Sequence, residues 1–227
     1  KSPLDFSRPK DSGTLAVSTP MDSTADPLSL ANKATPSADL HVATARMAER
    51  SGKNEEAESH YQQAIKIDPK HIDALVGSAR LKDRQGKLDQ ATRLYERATR
   101  AHPTNASLAN DLGLCLARQK KYQESIAVLD RAIALEPKKW LYRNNVAMVL
   151  VETGDLDAAV SHLKTVQGES VAHYNVGYIL QKKGQAEAAR EHFAMALAKN
   201  PSLAEARIWL DKLGAEPASI ARAAPLI

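Results

Sequence analysis

The sequence predicts an all-α fold, a right-handed solenoid of about five helix-turn-helix units closed by a C-terminal capping helix. Three observations predict it. Pro69, Pro103 and Pro137 lie 34 residues apart, as do Ala57, Ala91 and Ser125, and Tyr61, Tyr95 and Leu129. Self-similarity at such a period is the mark of a repeated two-helix unit that buries its apolar face only by stacking on its neighbours. Within each period, apolar and small residues recur at three- and four-residue steps, as in Leu112, Cys115 and Leu116 and then Ile126, Leu129 and Ile133. Aromatic residues are only 4% of the chain while alanine is abundant, which suits closely approaching helix axes better than sheets.

Residues 1–36 stand apart from this pattern. They are rich in Ser, Thr, Pro and Asp, and Pro3, Pro9, Pro20, Pro27 and Pro36 interrupt any helix. Their charges cancel, so a flexible arm is expected. Leu4–Phe6 or Leu15–Val17 would be its docking points if it folds back on its own chain or self-associates with a neighbour's. The repeat region is expected over 37–214, with units at about 38–70, 71–104, 105–138, 139–169 and 170–202 and a cap at 203–214. In four of the five units a glycine, Gly52, Gly86, Gly154 or Gly184, falls between the two helices, where a left-handed residue is useful. The bulky residues Tyr61, Tyr95, Leu129, Leu163 and Phe193 fill the space between units, and proline stops the second helix. The fourth unit is shorter. Its step from Ala147 to Gly177 is 30 rather than 34, and Gln167-Gly168-Glu169 stands where its proline should be. The cap sets Ile208, Leu210 and Leu213 beside Arg207, Asp211 and Lys212, the half-polar character that an open solenoid end needs. Residues 215–227 form a tail.

The composition excludes several function classes. Lys and Arg number 31 against 27 Asp and Glu, a mixed surface without the clustered basic face of a nucleic-acid binder. Cys115 is the single cysteine, so neither an intramolecular disulfide nor a cysteine metal cluster is expected. No apolar run approaches the roughly 18 residues that read as a membrane span, so no direct membrane insertion is expected. The compartment is left at the cytoplasm or a bacterial cell envelope. There is no phosphate-cradling glycine loop and no HExxH spacing. His41, His60, His71, His102, His162, His173 and His192 read as solvated residues at unit edges or exposed helical positions. Cys115 shares its unit position with Met47, Leu81, Val149 and Ile179, which makes it a small core residue. No enzyme activity, cofactor or metal is expected.

The runs LANDLGLCL…SIAVLDRAIALEP and HYNVGYIL…AAREHFAMALAKNP closely resemble the tetratricopeptide repeat family, over roughly 38–214, with a bacterial character. The family's Leu-Gly pair is replaced by Thr44-Ala45 and Ser78-Ala79 in the first two units. The resemblance implies a protein partner, an extended peptide or a helix, held in a concave groove lined by the first helix of each unit. By register, the exposed groove positions are Val42, Ala43, Arg46 and Arg50; Val76, Gly77, Arg80 and Arg84; Asn110, Asp111, Leu114 and Arg118; Asn144, Asn145 and Met148; and Tyr174, Asn175, Tyr178 and Lys182.

Arg46, Arg80 and Arg84 fall in rows that could grip partner carboxylates, although Asp39, Asp73, Glu49 and Asp83 recur at the same period and offer internal partners. Asn110, Asn144, Asn145 and Asn175 carry both a donor and an acceptor for a peptide backbone. Asn145 and Asn175 occupy the position that resembles the family's asparagine ladder, and Tyr174 and Tyr178 add rigid contact area. The lysine of the family's chaperone-tail clamp is replaced by Val42 and Val76, so chaperone C-termini are not expected ligands. The expected function is an interaction adaptor or assembly scaffold. The alternatives are a regulatory or substrate-recruiting arm of a larger enzyme, and an envelope-associated pilus or secretion assembly factor.

Overall fold

The computed structural model describes residues 36–214. Among these, eleven helices follow one another: α1 (Ala38–Arg50), α2 (Asn54–Ile67), α3 (Ile72–Arg84), α4 (Leu88–Ala101), α5 (Ala106–Arg118), α6 (Tyr122–Leu135), α7 (Trp140–Thr153), α8 (Leu156–Gln167), α9 (Glu169–Lys182), α10 (Ala186–Lys199) and α11 (Ala204–Gly214). They pack as five successive pairs, with α11 against α10 at the end, an all-α repeat solenoid without strands in the described region. The expected arm and tail, and the docking of Leu4–Phe6 or Leu15–Val17, lie outside the described residues.

Local chemistry starts and stops the helices. Ser37 Oγ, Asn105 Oδ1 and Asp155 Oδ1 accept the backbone N–H three residues on and cap α1, α5 and α8. At α3 an imidazole does this work. His71 Nδ1 accepts from Ala74 N–H at 3.3 Å, which leaves the proton on Nε2 to donate to Asp39 at 2.9 Å. Asp39 therefore ties α1 to the start of α3, and it is not a partner of the arginine row. The second helices end at Ile67, Ala101, Leu135 and Lys199, each followed by one capping residue and then proline.

The turns inside the units hold a left-handed residue: Gly52, Gly86, Gly154 and Gly184 have φ between 73° and 84°. In the third unit the same place is taken by Lys120, at φ 61°. A side chain there strains the backbone by about 1–2 kcal/mol, partly offset by the larger unfolded-state entropy of glycine. Lys120→Gly is accordingly expected to stabilise the protein by about 0.5–1 kcal/mol. An unchanged urea midpoint would show that the turn bears lysine without strain.

The core repeats with the sequence. Tyr61, Tyr95, Leu129, Leu163 and Phe193 are all buried, against the small residues Ala45, Ala79, Gly113, Ala147 and Gly177 of the first helices. At Gly113 a β-carbon would lie 2.6 Å from Leu129 Cγ, so the close approach of α5 and α6 requires glycine. Cys115 is fully buried beside Thr92 Oγ1, and burial raises its thiol pKa, so it is an inert core residue. Its counterpart Met47 is 68% exposed, as is Leu40 at 55%. Both lie on the face of α1 that later units bury under the preceding pair, and no pair precedes α1 among the described residues.

The fourth unit loses its length at its end. Gly168 alone separates α8 from α9, at φ 80° and ψ 163°, where the other units use four residues such as 68–71.

Candidate functional site

The first helices form one continuous face, with α1 against α3, α5 against α7, and α7 against α9. Over the first three units this face carries an ion-pair ladder. Arg46 meets Asp73 at 2.9 Å, Arg80 meets Asp111 at 2.8 Å, Arg84 meets Glu49 at 2.6 Å, and Arg118 pairs with Asp83. Every pair joins two successive units. The guanidiniums are more than half exposed, so each pair contributes no more than about 1 kcal/mol.

The ladder continues into amides. Asp111 also accepts from Asn110 Nδ2 at 3.4 Å, and Asn110 Oδ1 accepts from Asn145 Nδ2 at 2.6 Å. One chain of hydrogen bonds thus runs from Arg80 in the second unit to Asn145 in the fourth. Asn110 and Asn145, together with Val42 and Val76, are buried and are not exposed groove positions. They lie on the flank of the first helix where the neighbouring first helix packs. Asn175 Nδ2 donates to Gln167 Oε1 at 2.5 Å, beside the Gly168 link. Asn144 is half-buried, 3.9 Å from the Met148 sulfur. Tyr174 and Tyr178 join the aromatic end of the stack: Tyr174 lies 5.7 Å from Phe193 between ring centres, and Tyr178 stands edge-on to Trp209 at 5.9 Å beneath Lys182.

Between the ladder and this aromatic end the face opens into a depression of about 470 Å³. Leu114 of α5, Met148 and Val149 of α7 and Ile179 of α9 make its floor, and Asn145 lies at its edge. Arg118, Lys120, Glu152, Lys182 and Lys183 make its rim. Lys183 is engaged with Glu152 at 3.0 Å and with the Val151 carbonyl at 3.3 Å. Register placed Leu114, Met148 and Lys182 on this face but gave no sign of Lys120, Ile179 or Val149. Lys120 stands at the unit position that elsewhere reads as a turn glycine.

The histidines correct the expectation of solvated side chains. His41 and His60 bring their Nδ1 atoms to 3.0 Å, and His173 and His192, at the same positions of the fifth unit, to 3.2 Å. Each pair needs one ring to donate and the other to accept, so one ring must be neutral. His102 Nε2 donates to the Lys70 carbonyl at 2.7 Å. Burial holds His173 below its ordinary 6.5, and burial followed by the charge of His173 does the same to His192; Glu169, Glu191 and Asp157 oppose this weakly, while Lys199 reinforces it at His173. A depressed folded-state pKa means stability that is present above pH 6.5 and lost as the pH falls below it. The melting temperature is therefore expected to drop on acidification through that range, and His173→Gln to blunt the drop. A variant that retains the whole drop would place the titration elsewhere.

Among the described residues no group of three or more His, Cys, Asp or Glu is placed to hold a metal ion, and no helix is long and apolar enough to cross a membrane. Sequence profiles described as tetratricopeptide repeat match residues 38–71, 76–139, 121–170 and 171–201, together taking in all five helix pairs. The chain is a tetratricopeptide repeat protein. Solved structures of the same fold include YrrB, described as a TPR protein with an unusual peptide-binding site, at 24% identity and a TM-score of 0.54 over 75% of this chain and 90% of that one. MamA aligns at 21% identity and a TM-score of 0.58, over 74% of this chain and 94% of MamA. Pseudomonas aeruginosa PilF aligns at 20% identity and a TM-score of 0.55, over 78% and 82%. No curated protein sequence matches this tetratricopeptide repeat protein. The repeat is a protein-interaction fold, generally without catalytic activity, and the chain is a scaffold for protein–protein interaction.

Proposed function

We propose that this tetratricopeptide repeat protein is an adaptor or assembly scaffold that holds an extended segment or a helix of a partner protein along the face of its first helices, with units three to five as the main seat. The observation that carries this is the open depression over α5, α7 and α9, floored by Leu114, Met148, Val149 and Ile179. On the preceding units the arginines that would grip a partner are already paired with acids of neighbouring units. Asn144 of α7 and Asn175, Tyr174 and Tyr178 of α9 lie on the same helices outside the depression, where they would add polar contacts to a backbone that extends beyond the floor. The peptide-binding site of YrrB, which shares this architecture, agrees with that reading.

The test uses peptides selected from a random dodecapeptide display library against the full chain. Met148 is 43% exposed, so Met148→Asp leaves the fold intact while placing a charge on the floor. Selected peptides should lose their affinity for that variant at unchanged helicity and melting temperature. Retained affinity would move the binding surface off this face.

A further inference from the structure

The depression combines an apolar floor with an unbalanced rim. Four cations border it against one acid, Glu152. Arg118 is neutralised by Asp83, and Lys183 by Glu152. Lys120 and Lys182 remain, with no ion-pair partner among the described residues. Their places in the chain set them on either side of the floor. Lys120 follows α5 and Lys182 closes α9, while α7, which carries Met148, lies between those two helices in the stack. Lys182 leans on the Tyr178 ring, with its Nζ 5.4 Å from the ring centre, a partner that leaves the ammonium charged and reachable. Lys120 is held out in its left-handed turn and is exposed.

We propose that this depression selects an acidic, amphipathic partner segment: one bulky apolar side chain seated on the floor, with carboxylates on both sides of it received by Lys120 and Lys182. This rests on the groove reading above and adds the partner's chemistry. Covering the exposed Met148 and its neighbours removes apolar surface from water, which supplies affinity without sequence preference beyond size. The two ammonium groups supply the preference. They are flexible point charges on long stems, suited to reach carboxylates of variable position. Exposed charges of this kind speed the encounter and reject basic segments more than they add affinity, and their effect fades with salt.

The same random dodecapeptide library tests the proposal. Enriched peptides are expected to carry Leu, Met, Phe or Trp with Asp or Glu on both sides. Lys120→Glu/Lys182→Glu should weaken the best of them by about tenfold or more and improve binding of its counterpart with lysines in place of the acids. Both lysines are exposed, so helicity and melting serve as controls for the variant. Enriched peptides without acidic residues, indifferent to the lysine reversal but lost on Met148→Asp, would overturn the acidic preference and leave the groove reading standing. No enrichment at all, or peptides indifferent to Met148→Asp as well, would overturn both.

Discussion

Replacing Phe193 by alanine is expected to lower stability by about 3–5 kcal/mol, more than most single substitutions cost. The ring is fully buried and joins three helices. It stacks on Trp209 of α11 with ring centres 5.9 Å apart and planes within 10°, and lies 5.7 Å from Tyr174 of α9. Removing it leaves a cavity that these neighbours fill poorly, and it detaches the cap from the fifth pair. A solenoid has nearest-neighbour contacts only, so the damage should stay local. Hydrogen exchange is expected to accelerate throughout α9–α11 and to stay unchanged in α1–α4. Uniform acceleration along the chain would show that the stack opens as one body and that the end unit has no independent equilibrium.

The second large effect is at Gly168. Its φ of 80° with ψ of 163° lies in a region that essentially only glycine enters. A β-carbon built there meets no atom within 4 Å, so backbone strain alone opposes a substitution. Gly168→Ala is expected to cost about 1–3 kcal/mol. Gly168→Asn should fare no better, because asparagine tolerates the ordinary left-handed region and not this one. The control is Gly154, at φ 84° and ψ 3°, where asparagine is expected to cost far less. Equal urea midpoints for the two asparagine variants would mean that the link between α8 and α9 adjusts its backbone freely.

What the sequence reveals about this fold follows from which constraints recur. A buried position that meets the same neighbours in every unit leaves the same residue type at each period. Tyr61, Tyr95, Leu129, Leu163 and Phe193 are therefore visible without coordinates, as are the turn glycines. Lys120 is hidden because a left-handed turn only disfavours a side chain, by an amount one unit can bear. Met47 misleads for the opposite reason: it keeps the residue type of a seam that, at the first described unit, no other described residues cover. Pairings are hidden altogether. Nothing in the spacing of the asparagines tells that Asn145 spends a donor on Asn110 while Asn144 keeps its amide half-exposed. Asn145→Ala strands the buried Asn110 acceptor and is therefore expected to cost about 1–3 kcal/mol of stability, besides any effect on binding. The depression is hidden too, because it is shaped by three helices together.

The arginine ladder has a consequence for how the molecule comes apart. None of its four bridges lies within a unit; all of them cross the boundaries between the first, second and third. In a one-dimensional stack such bridges set how strongly neighbours melt together, not how stable each helix pair is alone. The later boundaries are held mainly by a continuous apolar and aromatic cluster from Ala106 to Leu213. Mobile ions screen the first kind of coupling and leave the second almost untouched. Rising ionic strength is therefore expected to weaken the coupling of the first three units more than that of the later ones, where Lys183–Glu152 is one bridge beside the apolar cluster. The apolar clusters under the leading units keep them folded, so salt changes how steeply those units melt together and not whether they stand.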